Sequence, residues 1–156
     1  MQKAGGARES IAADKETAME SCIFCGIQAG TIPSARLYET DNLYAFLDIA
    51  PANKGHALLI PRTHCADILG VDPALGREVL EAMQRIARAV VSVTGARGFN
   101  IIQNNGRVAG QEVDHLHWHI IPRFERSEMP LWKQGAYETQ EEMNRLATAI
   151  RVQIGV

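Results

Sequence analysis

The chain has 156 residues, enough for one domain with a real hydrophobic core, and its 46% hydrophobic and 22% charged residues are those of a soluble globular protein. A formal net charge of −2 gives no general attraction to nucleic acid or to a membrane surface. The longest apolar runs, such as "ALLI" (57–60), fall far short of the roughly 20 residues that span a bilayer. The expectation is therefore a cytoplasmic protein with no nucleic-acid and no membrane partner.

Residues 1–20, "MQKAGGARESIAADKETAME", are small and polar, with no apolar period and no hydrophobic signal segment. They are expected to be a mobile extension ahead of one domain at 21–156. From Ser21 to Gly30 a short helix is expected, because Ile23, Phe24 and Ile27 share a face and Gly30 can end it. An extended piece starts at Thr31-Ile32-Pro33. The segments "LYAFLDI" (43–49) and "HALLI" (56–60), separated by the turn-like "APANKG", predict an antiparallel hairpin with a loop longer than the tightest type.

Asp72 followed by Pro73 supplies an N-cap and a proline suited to the first helical position, and Gly95 can close the same helix. Between them Leu75, Val79, Met83, Ile86 and Val90 recur at helical spacing, one stripe facing a core. "GFNIIQN" (98–104) predicts a strand, and "NGRVAGQEV" (105–113) a glycine-containing loop. A second strand then carries the histidines, its pairing ended by Pro122. At the C-terminus Thr139 and Glu142 have capping-box spacing, with Met143, Leu146, Ala147, Ile150 and Ile154 behind them, so a helix is expected over about 139–153. Strands first and last around one long helix predict an α+β domain with an antiparallel sheet.

The chemistry is concentrated in "DHLHWHII" (114–121). On a β-strand His115, His117 and His119 share one face, with Leu116, Trp118 and Ile120 on the other. Neighbouring Cα atoms in that row are roughly 6 to 7 Å apart, so three imidazoles can serve one small site. A single histidine on a strand is usually a solvated or satisfied core residue. Three in register, however, cost desolvation and mutual repulsion that a chance arrangement would not carry. The residues alone leave two uses open: a catalytic metal on the row itself, or metal-free nucleophilic and acid catalysis. The preceding loop, with two glycines and several amide side chains, can bring backbone N–H groups close to an anion, which favours phosphoryl or nucleotidyl chemistry.

Cys22-Ile23-Phe24-Cys25 is a C-x-x-C with no preceding strand, so it does not fit a thioredoxin-like setting; half of a Cys2His2 zinc site is the alternative, with His64 and His115 to complete it. Cys65 has no partner at ligand spacing. His56, opening a strand, reads as a hydrogen-bonded structural histidine. Asp48 is either a turn former or an acceptor for ribose hydroxyls, and Phe24, Ile27 and Ile32 are either core or the apolar sides of a slot for a flat base.

"HLHWHII" fits His-φ-His-φ-His-φ-φ, with φ apolar, the pattern of the histidine-triad (HIT) family of nucleotide hydrolases and transferases. "CIFCGIQAGTIPSARLYETDNLYAFLDIAPANKGHALLIPRTH" and "NNGRVAGQEVDHLHWHIIPR" resemble the two halves of its bacterial Hint-like branch, so the resemblance runs from residue 21 to about 124. It implies a HIT-like fold of about five antiparallel strands with one long central helix, the sheet continued across a homodimer. It implies cleavage of a purine nucleoside 5′-phosphate derivative at the α-phosphorus. His117 would be the nucleophile that forms a nucleotidyl-histidine, and His119 would stabilise charge on the phosphate oxygens.

By the same resemblance Asn104 and the backbone around Gly110 and Gln111 hold the phosphate, Asp48 binds the ribose, and Phe24, Ile27 and Ile32 flank the base. Cys22, Cys25, His64 and His115 would hold a structural zinc that orients the triad; catalysis itself would need no cofactor. One position departs from the eukaryotic branches: Glu112 stands where they carry Ser or Thr, the hydroxyl that helps protonate the leaving group in the phosphoramidase branch. Asn104 matches that branch, whereas the dinucleoside polyphosphate branch has glutamine there. The resemblance thus favours a nucleoside phosphoramidate, an AMP-like ligand with a P–N bond. A dinucleoside polyphosphate hydrolase and a weakly active regulatory nucleotide binder are the rivals.

Overall fold

The computed structural model describes residues 21–125 together with Glu138, Thr139, Glu141 and Asn144. Backbone contacts divide the chain into two compact units, Met1–Arg126 and Ser127–Val156. Of the second, Glu141 and Asn144 are helical, and all four described residues are exposed. The mobile extension and the greater part of the C-terminal helix expected over 139–153 lie outside the described residues, as does the reach of one domain to residue 156.

The first unit opens with α1, Ile23–Gln28, followed by β1 (Arg36–Glu39), β2 (Leu43–Leu47) and β3 (Ala57–Pro61). A single 3-10 turn, Pro73–Leu75, leads into α2, Gly76–Thr94, and the unit ends with β4 (Gly98–Ile102) and β5 (Trp118–Arg123). The strands form one five-stranded sheet in the order β1-β2-β3-β5-β4, with every pairing antiparallel. The α+β expectation therefore holds. β2 and β3 are the expected hairpin, in register from Leu43↔Pro61 to Leu47↔Ala57. β1, which lies within the extended piece after Pro33, adds the edge strand that the apolar pattern left unassigned.

The stripe and the terminating glycine of α2 act as its sequence predicts, but Asp72 and Pro73 open the 3-10 turn ahead of it, and α2 itself starts behind Leu75, whose side chain makes no cap. The Asp72 side chain accepts from the Ala74 amide at 2.9 Å, and Gly95 ends the helix with φ 71°, a left-handed conformation that a Cβ would penalise. The stripe meets the sheet: Val79, Ile86 and Val90 are buried against Leu43, Leu59, Trp118 and Ile120, with Leu75 and Met83 packed on the margin. Each such side chain contributes about 1.5–3 kcal/mol on burial. The Glu78 carboxylate, in the helix's first turn, takes hydrogen bonds from Thr40 and from Asn42 at 2.9 Å, so α2 is tied to the β1–β2 turn.

On the opposite face of the sheet α1 covers Tyr44, Phe46, Leu58 and Ile60 through Phe24 and Ile27. Ile23, expected on the same buried stripe, is half exposed. Alternation sends Trp118 and Ile120 of β5 to the α2 side, while His119, opposite Leu58, stands on the α1 side. One expectation is corrected at Pro122. Its strand continues past it, because β5 pairs with β3 only as far as Ile120 and beyond that has β4 as its one neighbour, with Phe99↔Pro122 in register. A strand with one open side tolerates a residue that lacks an N–H.

Candidate active site

β5 begins only at Trp118, so the three histidines do not lie along one strand as the alternation predicts. His115 sits in a bend and His117 in irregular chain just before the strand. The two faces are still respected, because Leu116 is buried with Trp118 and Ile120 under α2. The rings of His117 and His119 stand 4.9 Å apart, and Phe24 meets His117 edge-on at 5.2 Å. His115 is turned another way, with its ring 5.0 Å from that of His64.

Hydrogen bonds fix which nitrogen of each ring carries the proton, because a carbonyl can only accept and an amide can only donate. His117 Nδ1 lies 2.6 Å from the His115 carbonyl oxygen and must donate to it, which leaves the Nε2 lone pair free for attack. His56 Nδ1 accepts from the Ala52 amide at 3.2 Å, so its Nε2–H donates to His119 Nδ1 at 2.9 Å. His119 is then protonated on Nε2. Burial lowers the pKa of His119 to about 4, with further lowering from His117 and His56 beside it, and burial lowers that of His56 too. At neutral pH the pair is uncharged, and His119 presents a fixed N–H donor. His56 is the residue that the sequence reading underrated: it is hydrogen-bonded, as expected, but its partner is a triad histidine. The signal would have been the register Leu58↔His119, which places His56 on the same face one diagonal away.

His115 is fully buried. Its Nε2 donates to the Pro61 carbonyl at 2.8 Å, so the Nδ1 lone pair points at Cys22 Sγ (3.4 Å) and Cys25 Sγ (3.6 Å). Cys25 Sγ also lies 3.4 Å from His64 Nδ1. Ligand atoms of Cys22, Cys25, His64 and His115 all fall within 4.8 Å of one another. Zinc bound tetrahedrally at about 2.3 Å to sulfur and about 2.0–2.1 Å to nitrogen sets S···N edges of about 3.5–3.6 Å. The observed separations of 3.4, 3.4 and 3.6 Å match that edge, and the set is two sulfurs and two imidazoles, so the residues fit zinc. The chemistry is also consistent with the thiols' need of a cation: burial, with Cys22 close by, raises the Cys25 pKa to about 11, against the thiolate that a metal would stabilise. Burial likewise lowers the pKa of His115 to about 4 and depresses that of His64, keeping both imidazoles neutral. Among the described residues His115, His117 and His119 do not together make a metal-ligating group. Cys65 is half-buried and outside the cluster, with burial raising its pKa.

The remaining site residues divide. Asn104 donates through Nδ2 to the Gly110 carbonyl at 3.3 Å, and Gly110 has φ 87°, which favours glycine. The buried Gln111 side chain braces the loop, accepting from the Gly106 amide and donating to the carbonyls of Ala66 and Val113. The amides of Ala109, Gly110 and Gln111 donate back to Gly106 and Arg107. The expected anion nest is thus closed on itself at these positions. Asp48 caps its own turn, Oδ1 accepting from the Ala50 amide at 2.9 Å, and Oδ2 lies 3.5 Å from His56 Nδ1. Phe24 is core against Phe46 and the His115 and His117 rings, Ile27 is half-buried on the same cluster, and Ile32 is exposed, reaching over Gly26 where a Cβ would meet its Cδ1 at 2.7 Å. Glu112 is exposed and makes no hydrogen bond or ion pair among the described residues.

A five-stranded antiparallel sheet with a His-φ-His-φ-His row over a Cys2His2 cluster defines a class, and comparison with known proteins agrees. The HIT domain family matches residues 29–126. The chain belongs to the HIT family. A crystal structure of a HIT family member from Bacillus subtilis is 40% identical, with a TM-score of 0.76 over 83% of this chain and 94% of that one. The adenosine 5'-monophosphoramidase hnt1 of Schizosaccharomyces pombe is 46% identical over 103 residues, 66% of this chain and 74% of that protein. A Zn-bound histidine triad family protein from Mycobacterium smegmatis is 36% identical, with a TM-score of 0.67 over 88% of this chain and 97% of that one. No helix among the described residues is long and apolar enough to cross a membrane.

Proposed function

We propose that this HIT-family protein is a nucleotide hydrolase that cleaves a purine nucleoside 5′-phosphate derivative at its α-phosphorus, with a nucleoside phosphoramidate as preferred substrate. The observation that carries the reading is the 2.6 Å bond from His117 Nδ1 to the His115 carbonyl, which leaves the Nε2 lone pair unengaged. Nε2 of His117 attacks phosphorus, the P–N bond breaks, and the amine departs after taking a proton from solvent. Water then attacks the phosphorus of the nucleotidyl-His117, loses a proton, and restores the lone pair. Nε2–H of His119, held by His56, donates to a phosphate oxygen as charge develops. The Asn104 amide supports the phosphate and Asp48 the ribose, while Ile27, Ile32 and the edge of Phe24 border the base.

Zinc held by Cys22, Cys25, His64 and His115 is structural in this reading and fixes the residue whose carbonyl orients His117. The named relative with phosphoramidase activity supports the P–N preference. The same reading includes a cytoplasmic homodimer, and the edge position of β4 with exposed Phe99 and Ile101 is consistent with a continued sheet.

Phosphorus NMR of adenosine 5′-phosphoramidate tests the function, with diadenosine tetraphosphate run in parallel. Release of AMP from the phosphoramidate by wild type, lost in His117→Ala, is the expected outcome. Cleavage of the dinucleotide with the phosphoramidate left intact would overturn the P–N preference.

A further inference from the structure

The Cys2His2 cluster is not evenly enclosed. Cys25 and His115 are buried, at 8% and 0% exposure, while Cys22 and His64 are only partly covered. Those two line one cavity of about 320 Å³, together with Ile23, Glu112 and Asp114. At roughly 30 Å³ per water this is room for a cation with its hydration shell. Residues 21–23 and 112–114 line it together with His64, so two carboxylates share the cavity with the two partly covered ligands. Asp114 is shared with Arg107 at 3.6 Å, whereas Glu112 has no partner among the described residues.

A hydrated divalent ion reaches sulfur and nitrogen donors only by shedding water, and a carboxylate oxygen is the ligand suited to hold it during that exchange. We propose that this cavity is the port through which a divalent metal ion enters and leaves the tetrad, with Glu112 and Asp114 as transient oxygen ligands at its mouth. The proposal rests on the reading of the tetrad as a metal site. The sulfurs of Cys22 and Cys25 and the imidazoles of His64 and His115 would replace the waters of an entering ion, and the two thiol protons would pass to solvent. Glu112 thereby acquires a use that its place in the triad loop does not otherwise explain.

Cobalt(II) chloride added to the reduced, metal-free full chain in a stopped-flow spectrometer tests this, because thiolate-to-cobalt charge transfer reports arrival at the tetrad independently of any turnover. The double variant Glu112→Gln, Asp114→Asn is expected to slow uptake by roughly tenfold at low ionic strength, the scale of electrostatic focusing. Chelator-driven release should slow as well, with the final spectrum unchanged. Ile23→Trp, which narrows the same cavity without a charge change, should slow both directions, and Glu81→Gln on α2 should slow neither. Uptake as fast in the double variant and in Ile23→Trp as in wild type would overturn the port while leaving the metal site standing. Absence of the charge-transfer band in wild type would overturn both.

Discussion

The two ends of the histidine row use the same side chain in opposite ways. At one end His115 is buried, gives its Nε2 proton to a backbone carbonyl, and turns the Nδ1 lone pair to two thiols. At the other end His117 gives its Nδ1 proton to a carbonyl and keeps the Nε2 lone pair free, while His119 is held through Nδ1 by His56 and offers an Nε2 proton. Ring chemistry is common to all three. What differs is which nitrogen the backbone or a neighbour occupies, and the proposed roles of ligand, nucleophile and donor follow from that difference. The two ends are also joined, since the carbonyl that orients His117 belongs to His115.

The largest effect should follow from removing the nucleophile. His117→Ala is expected to lower phosphoramidate turnover by roughly 10⁴-fold or more, the scale for loss of a covalent catalyst, with binding of AMP retained. Equal turnover by the variant would mean that the lone pair at Nε2 is not the attacking group.

Next comes the ligand end. Added zinc should raise the thermal midpoint of the reduced protein in a concentration-dependent way, the stability gain being about 2.7 kcal/mol at a hundred times the dissociation constant. Cys25→Ala should abolish that response. A midpoint indifferent to zinc and to chelator would sever the proposed link between the two ends.

His56 is predicted to act through His119. His56→Phe removes the donor to His119 Nδ1 and should cost roughly ten- to hundredfold in kcat, from about 1–3 kcal/mol for an unsatisfied buried partner. KM for the nucleotide should move less, and His56→Gln should recover part of the loss. A change in KM alone would point to packing instead of positioning.

The smallest effect is on stability against pH. His119 titrates at about 4 in the fold, below its ordinary value of 6.5, so between those values the unfolded chain binds more protons than the folded one. Stability from this group is complete above about pH 6.5 and is lost as pH falls toward 4. Thermal midpoints of wild type should therefore decline with acidification more steeply than those of His119→Gln, by a few degrees, since 1 kcal/mol moves the midpoint by about 2–8 °C in domains of this size. Parallel curves would remove His119 from the account.

Much of this was legible before any coordinates. α2 carries its apolar stripe and its terminating glycine in sequence, and both act as written because they depend on neighbours within one helix, whereas the Asp72–Pro73 start signal opens the 3-10 turn ahead of α2. The C-x-x-C and the histidines point to the four residues that the fold brings together, but their meeting depends on β3 and on the bend at His115, which no local period encodes. Alternation placed Leu116, Trp118 and Ile120 correctly, since burial enforces it even ahead of the strand. It failed for the strand's start, because His115 is pulled into the Cys cluster and the chain bends to allow it. Pro122 misled for a related reason: a proline ends pairing only where a partner needs its N–H, and β5 has no second neighbour there. His56 is hidden in the sequence because its partner depends on strand register, and the glycine loop gives no local sign that the carbonyls of Gly106 and Arg107 take up its amides.

The proposed chemistry needs opposite tautomers in adjacent rings, and long-range proton–nitrogen NMR of the ¹⁵N-histidine protein at pH 7.5 reads them directly. The prediction is a proton on Nδ1 of His117 and on Nε2 of His119, in the same sample. A proton on Nε2 of His117 would contradict it, because the nitrogen assigned to attack phosphorus would have no lone pair to offer.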